Sequence, residues 1–380
     1  MVSLPLSARR MEIQAPRLVE AGAGQGLCLA MNSRERILAA IQHEKVDRVP
    51  TDIWATPEVW QKLREYFGAE ADIRAALHID GIAGVGPKYI GPPPAAPPGE
   101  TADFWGRRWR KVSYGCGEYD EQVFYPLADA ATVDDLERYR WPSADWFDYS
   151  EMRAKASVAR RKQAVMCGYM APFYYHTLLR GLETALMDPL LRPDLTRHLL
   201  RRLCDFFYEH HLRMFETCAG LIDLTQVTDD FGTQTGPMMS LATFREFYRP
   251  HMQRFIDLAH GFGLKVFHHD DGAIRDFIPD LIDMGIDILN PVQWTCPGME
   301  LEGLKRDFGQ ALCFHGGVDN QRVLAFGSPA AVRAEVRHCI DVLASDRTGY
   351  ILAPCHNLQA ISPVTNIIAM YDEAWRYGRF

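Results

Sequence analysis

Short apolar runs alternate with amphipathic stretches along most of the chain. Eight runs stand out: Val49–Trp54, Gly81–Gly86, Ala164–Tyr169, Leu221–Val227, Leu264–His268, Ile286–Val292, Leu312–Val318 and Gly349–Pro354. Between them lie helical patterns over Ser33–Gln42, Asp194–Cys218, Leu241–Gly261, Ile274–Met284 and Ala331–Ser345, with a closing helix from Pro363 to Tyr377. Short apolar strands separated by helices predict parallel strands joined by right-handed crossovers. Eight such units predict an α/β fold, a single (β/α)8 TIM barrel. A doubly wound sheet is the alternative, but it would not naturally use eight units. The glycine fingerprints GxGxxG and GxxxxGK[ST] are also missing.

Two stretches break the rhythm. Gly91–Gly99 holds five prolines, which can neither donate to a ladder nor continue a helix. Residues 100–146 are rich in aromatics, among them Trp105, Trp109, Tyr119, Phe124, Trp141 and Trp146. Residues 86–146 therefore read as an excursion inserted after strand two, with a hairpin of Phe104–Ser113 and Glu118–Tyr125. Its aromatics also suggest a homodimer contact. At the other end, Asn32-Ser33-Arg34-Glu35 writes a helix start, a polar cap with Glu three residues on. Residues 1–31 then read as a flexible N-terminal extension, or as a start assigned too early, and 32–380 as the barrel.

Composition narrows the class. Of 380 residues, 47% are hydrophobic and 24% charged, close to a globular average. Forty-one Lys and Arg against 49 Asp and Glu give a net charge of −8, and no basic block marks a nucleic-acid or anionic-membrane surface. No run of about 18 apolar residues predicts a membrane span. Nine scattered cysteines without a CxxC pair fit a reducing cytoplasm better than a disulfide framework.

A barrel's chemistry sits where strands end and the following loops begin. Those positions carry Asp52 and Trp54; Tyr169 and Tyr174; Asp229 and Asp230; His268-His269-Asp270-Asp271; Gln293; His315; and Cys355-His356. Burying so many polar groups costs several kcal/mol unless they are paired or bind something. Side chains alternate along a strand, so His269 and Asp271 share a face. With His356 they offer two imidazoles and a carboxylate, a set that suits a divalent metal such as Zn²⁺ with positions left open. The competing reading is a His–Asp hydrogen-bond pair in a substrate pocket. Cys355 reads as a thiolate ligand, a nucleophile or a small buried residue. Asp229 and Asp230 read as an acid–base pair, as holders of substrate hydroxyls, or as caps of the following loop.

These residues resemble the uroporphyrinogen decarboxylase superfamily. The similarity is carried by Asn32–Ile37 through Asp47-Arg48-Val49-Pro50, and by Tyr350–His356 through Pro363-Val364-Thr365-Asn366. It covers about residues 32–380 and implies the same barrel. The superfamily holds cofactor-free decarboxylases of porphyrinogen acetates and methyltransferases that exchange methyl groups with a corrinoid protein. In true decarboxylases an arginine-rich loop follows strand one; here that place reads Trp54-Ala55-Thr56-Pro57-Glu58-Val59, and the decarboxylase tyrosine falls on Leu178. His356 matches the decarboxylase histidine. Methyltransferases hold zinc on H-x-C-G after strand five and a cysteine after strand eight; here the first reads His269-Asp270-Asp271-Gly272 and the second aligns with His356, one residue from Cys355. The resemblance therefore implies a zinc-dependent methyltransferase or demethylase. Its metal ligands would be His269, Asp271 and His356, with Cys355 replacing or joining them. Asp230 would join the three ligands as a catalytic residue. Asp52, Trp54, Tyr169, Tyr174, Asp229, Gln293 and His315 would line a small-molecule pocket, and a separate corrinoid protein would be the partner. A decarboxylase of a small acid and a non-catalytic binding barrel are the alternatives.

Overall fold

The computed structural model describes residues 31–380 apart from Tyr114 and Cys116, so the expected extension lies, Met31 excepted, outside the described residues. Seven strands form one curled parallel sheet whose order follows the sequence. They are β1 (Ile82–Gly84), β2 (Ala164–Met170), β3 (Leu224–Val227), β4 (Lys265–His269), β5 (Ile288–Asn290), β6 (Cys313–Val318) and β7 (Tyr350–Pro354). Each coincides with one of the predicted apolar runs. The remaining run, Val49–Trp54, makes one isolated bridge, Thr51 to Leu352, instead of a ladder, because Pro50 has no N–H to give. It still meets both edges of the sheet. Leu352 N donates to Pro50 O (2.9 Å) and Asp52 N to Leu352 O (3.0 Å), while Asp80 N and Gly81 N donate to Thr51 O (3.1 and 3.0 Å).

Alternation sorts the side chains into layers. Ala164, Leu224, Phe267, Ile288, Cys313 and Ile351, one from each of six adjacent strands, pack with Ile37, Ala40 and Ile41 of helix α1 (Ser33–Ile41). This apolar layer closes the end where the strands begin. Helix α1 starts on the expected capping box, with Asn32 accepting from Glu35 N and Glu35 accepting from Asn32 N. Two residues further along β4, β5 and β6, the same parity brings in His269, Asn290 and His315, and these build the site.

Two predicted helices break at proline. The stretch Leu241–Gly261 divides into Leu241–Thr243, a wider turn over Phe244–Tyr248, and Arg249–Gly261. Pro250 lacks the N–H that would continue the ladder. Likewise a 3-10 turn over Arg275–Phe277 precedes Ile278–Met284, which opens on Pro279. Between β1 and β2, Arg108–Ser113 pairs antiparallel with Glu118–Phe124, the expected hairpin, and Thr101–Ala102 adds a third strand. Most aromatics of this stretch pack inward: Trp105 is 1% exposed, and Tyr119 and Phe124 remain outside. No helix among the described residues is long and apolar enough to cross a membrane.

Candidate metal and substrate site

Strand β4 ends on His269, and the chain continues through Asp270 and Asp271 to Gly272. Asp270 turns away from the sheet's mouth and is fully buried, accepting from Phe231 N (2.8 Å) and Gly232 N (3.1 Å). His269 and Asp271 point the other way, toward His356 beyond the end of β7. His269 Nε2 lies 3.9 Å and His356 Nε2 3.7 Å from Asp271 Oδ2. One ligand atom from each residue falls within 4.8 Å of the others. Ligands about 2.1 Å from a tetrahedral zinc sit roughly 3.4 Å apart, so this trio needs only small inward shifts. Gly272 makes the turn possible: its φ is +87°, and a Cβ there would lie 2.4 Å from Thr233 O.

The strand register sets His269's chemistry. Asn290 on β5 stands beside it in register, and His315 on β6 stands beside Asn290. His269 Nδ1–H donates to Asn290 Oδ1 (2.6 Å), and Asn290 Nδ2 donates to His315 Nδ1 (2.7 Å). His315 Nε2–H in turn donates to Asp52 Oδ2 (3.1 Å). This chain occupies the Nδ1 of His269 and turns its Nε2 toward Asp271 and His356. Burial lowers the pKa of His356, against the pull of Asp271, which favours the neutral, ligating form. A donor set of two imidazoles and one carboxylate, with no hydrogen-bonding partner at the imidazole nitrogens that face one another, fits a divalent metal.

Around the trio the expected residues divide. Asp230 Oδ1 lies 3.8 Å from His269 Nε2 and is 40% exposed; burial first, then Asp271, raises its pKa. Asp229 is buried and accepts from Phe173 N (2.8 Å) and Tyr174 N (2.6 Å), so it anchors the start of helix Pro172–Arg180. Burial pushes its carboxyl up, and those two N–H groups oppose the shift. Gln293 is tied on both sides, accepting from Gly272 N (2.9 Å) and donating to Gln234 Oε1 (3.0 Å). Trp54's ring stands 5.4 Å from that of His269. Asp52 and His315 are buried behind His269. Tyr174 and Tyr169 are partly exposed. Cys355 is not brought into the trio; its Sγ donates to Val292 O (3.7 Å), and burial pushes its thiol well above the usual range.

Asn290 was not singled out from the sequence, although it ends its strand at the same inward parity as His269. A cavity of about 420 Å³ opens beside Asp271 and His356. Its walls are amide-rich, with Gln234, Gln293, Asn320, Gln321 and Gln359, and include no Arg or Lys.

The family model described as uroporphyrinogen decarboxylase (URO-D) matches residues 122–377. Among solved structures, a methyltransferase from Methanosarcina mazei aligns with a TM-score of 0.60 at 18% identity, covering 91% of this chain and 99% of that one. At that identity the likeness speaks for the fold. Xylanase B from Clostridium stercorarium F9 aligns at a TM-score of 0.34 and 13% identity, covering 60% of this chain and 76% of that one, too distant to bear on function. No curated protein matches the chain significantly.

Proposed function

The chain belongs to the uroporphyrinogen decarboxylase family, and within it we propose a metal-dependent methyltransferase or demethylase that exchanges a methyl group between a small substrate and a corrinoid carried by a separate protein. The reading takes the sheet as a closed (β/α)8 barrel with Val49–Trp54 as its first strand and 86–146 as an insertion after the second. One observation carries it: His269, Asp271 and His356 converge where the strands end, and the Asn290 hydrogen bond already turns the free nitrogen of His269 inward. That a methyltransferase shares the fold agrees with it. The seven described cysteines are all unpaired and buried, in keeping with a reducing cytoplasm.

Zinc on these three side chains would supply Lewis acidity toward a substrate heteroatom. His269 and His356 would each offer an imidazole nitrogen, and Asp271 would offset the ion's charge. Asp230, with its raised pKa and partial exposure, is placed to hold or release a proton at the substrate atom. Gln293 lines the adjoining cavity, and Trp54 packs against His269. Two nitrogens and an oxygen make a harder ligand set than thiolates, so an oxygen-bearing substrate, a methoxy or hydroxy compound, suits it better than a thiol. A polycarboxylate is disfavoured, because no Arg or Lys lines the adjoining cavity to receive it.

The direct experiment is metal analysis of gently purified protein after zinc addition. About one equivalent is expected, and less than a tenth in Asp271→Ala. A wild type that retains less than about a tenth of an equivalent removes the metal role. Release of CO₂ from a small acid, undiminished in Asp271→Ala, would establish the decarboxylase reading instead.

A further inference from the structure

We propose that a second cavity, on the side of the barrel mouth where β1 meets β2, binds a small neutral aromatic molecule that carries a hydroxyl or N–H donor. The cavity measures about 470 Å³, within the range of small-molecule sites. Its walls are Phe104 and Phe147 from the segment between β1 and β2, and Phe206 and Phe207 from helix Pro193–Thr217. Two glycines, Gly84 and Gly86, line it where β1 ends. A Cβ at either would meet nothing within 4 Å, and neither has a positive φ, so larger residues could stand there without strain. Their absence leaves the space open.

The lining includes no Asp, Glu, Lys or Arg. A charged ligand would lose its hydration with nothing to replace it. Water that enters finds few hydrogen-bond partners on these walls, so an apolar ligand displaces it readily. Aromatic rings, by contrast, gain from offset and edge contacts with phenyl walls, and here the phenyl rings already pack on one another, 5.1–6.3 Å from centre to centre, as one continuous aromatic face.

One polar group on the lining selects among aromatics. His210 stacks on Phe206, and its Nδ1 lies 2.7 Å from the Tyr149 hydroxyl. That hydroxyl donates to Ala144 O (3.1 Å), so its oxygen receives the Nδ1–H. Burial brings the His210 pKa down to about 3, and the ring is neutral. Its Nε2 is left as an acceptor without a partner among the described residues. A phenol-type hydroxyl satisfies it. Tyr169 forms one wall, with Asp229 and Asp230 among the groups acting on its hydroxyl, and the lining holds none of the metal trio.

The test is calorimetric and saturation-transfer titration of the full chain with phenol, toluene and benzoate, with and without EDTA. Phenol should bind with a Kd of roughly 0.1–1 mM, toluene about tenfold more weakly, and benzoate not measurably. Gly84→Leu should weaken phenol at least tenfold with Tm unchanged, and Gly86→Leu does the same should the first variant fold poorly. His210→Phe should erase the preference for phenol over toluene. EDTA should change nothing. Phenol affinity unaltered in both glycine variants, binding lost on chelation, or benzoate bound as well as phenol would each overturn the assignment.

Discussion

His269 Nδ1 lies 2.6 Å from Asn290 Oδ1, and this one hydrogen bond decides which nitrogen of the imidazole faces Asp271 and His356. The bond is itself fixed, because Asn290 spends its amide N–H on His315 (2.7 Å) and His315 spends its own on Asp52 (3.1 Å). Outer partners of metal-bound histidines typically contribute 10–100-fold to metal affinity. Asn290→Leu should therefore raise the zinc Kd by about that factor, read by competition with a chelating indicator, while the folded-state circular dichroism stays unchanged. A zinc Kd within about twofold of wild type would remove Asn290 from the site.

Glu335 predicts a pH dependence of stability. Burial, with the nearby Asp319 carboxylate adding to it and the Asp319 N–H bond (2.6 Å) opposing it, raises its pKa to about 7. The unfolded chain would release that proton near 4.5. Between these values the folded state holds the proton and the unfolded state does not, so stability falls as pH rises from about 4.5 to about 7 and levels off above. Glu335→Gln keeps the acceptor for Asp319 N–H and removes the charge. Its Tm should match wild type near pH 5 and exceed it by about 1–3 °C at pH 8. A Tm difference independent of pH would contradict the raised pKa.

That His269, Asp271 and His356 come together was legible in the sequence, and the reason is parity. A period of two put His269 and Asp271 on one face, and strand ends gathered His356 to them. Register was not legible. That Asn290 and His315 stand laterally beside His269 depends on how β4, β5 and β6 align, which an apolar pattern does not encode. So Asp52 and His315 read as pocket residues, while the structure joins them in a buried relay. Prolines explain other differences: Pro50 interrupts the first strand, and Pro250 divides the predicted Leu241–Gly261 helix. The hairpin was visible from its alternation, but which aromatics it would bury was not, since that depends on helix Pro193–Thr217 packing beneath it.

Gly168 tests the bulge in β2, where the register shifts between Met166 and Tyr169. Its φ is +94°, and a Cβ would lie 2.6 Å from His211 Cδ2 and 2.8 Å from Thr225 Oγ1. Both neighbours are buried and have little room to yield. Gly168→Ala should cost roughly 2–4 kcal/mol, from left-handed strain and overpacking together. Gly84→Ala, with an ordinary φ and empty space beyond, should cost less than about 1 kcal/mol in the same urea titration. Equal effects of the two would show that the bulge relaxes freely.

Arg180 is 1% exposed and holds three parts of the chain together. Its Nε and one terminal nitrogen grip Asp188 (2.8 and 3.0 Å), and the other terminal nitrogen donates to Ala130 O (2.6 Å) in the segment that follows the hairpin. Asp188 also meets His176 Nε2 (3.2 Å). Burial alone would raise the Asp188 carboxyl, but the His176 and Arg180 bonds reverse this and hold it well below the usual carboxylate range. The aspartate is therefore charged and depends on its partners. Arg180→Met keeps the stem's volume but leaves that charge buried with one cation fewer, which should cost about 3–5 kcal/mol in equilibrium urea unfolding. Arg180→Lys should recover little of it, because one ammonium cannot reach both carboxylate oxygens and the Ala130 carbonyl in the fork geometry. Asp188→Asn in the Arg180→Met background should restore about 1–2 kcal/mol, since it removes the stranded charge. If Arg180→Met costs under about 1 kcal/mol, Arg192, whose terminal nitrogen already lies 3.3 Å from Asp188 Oδ1, carries the pairing instead.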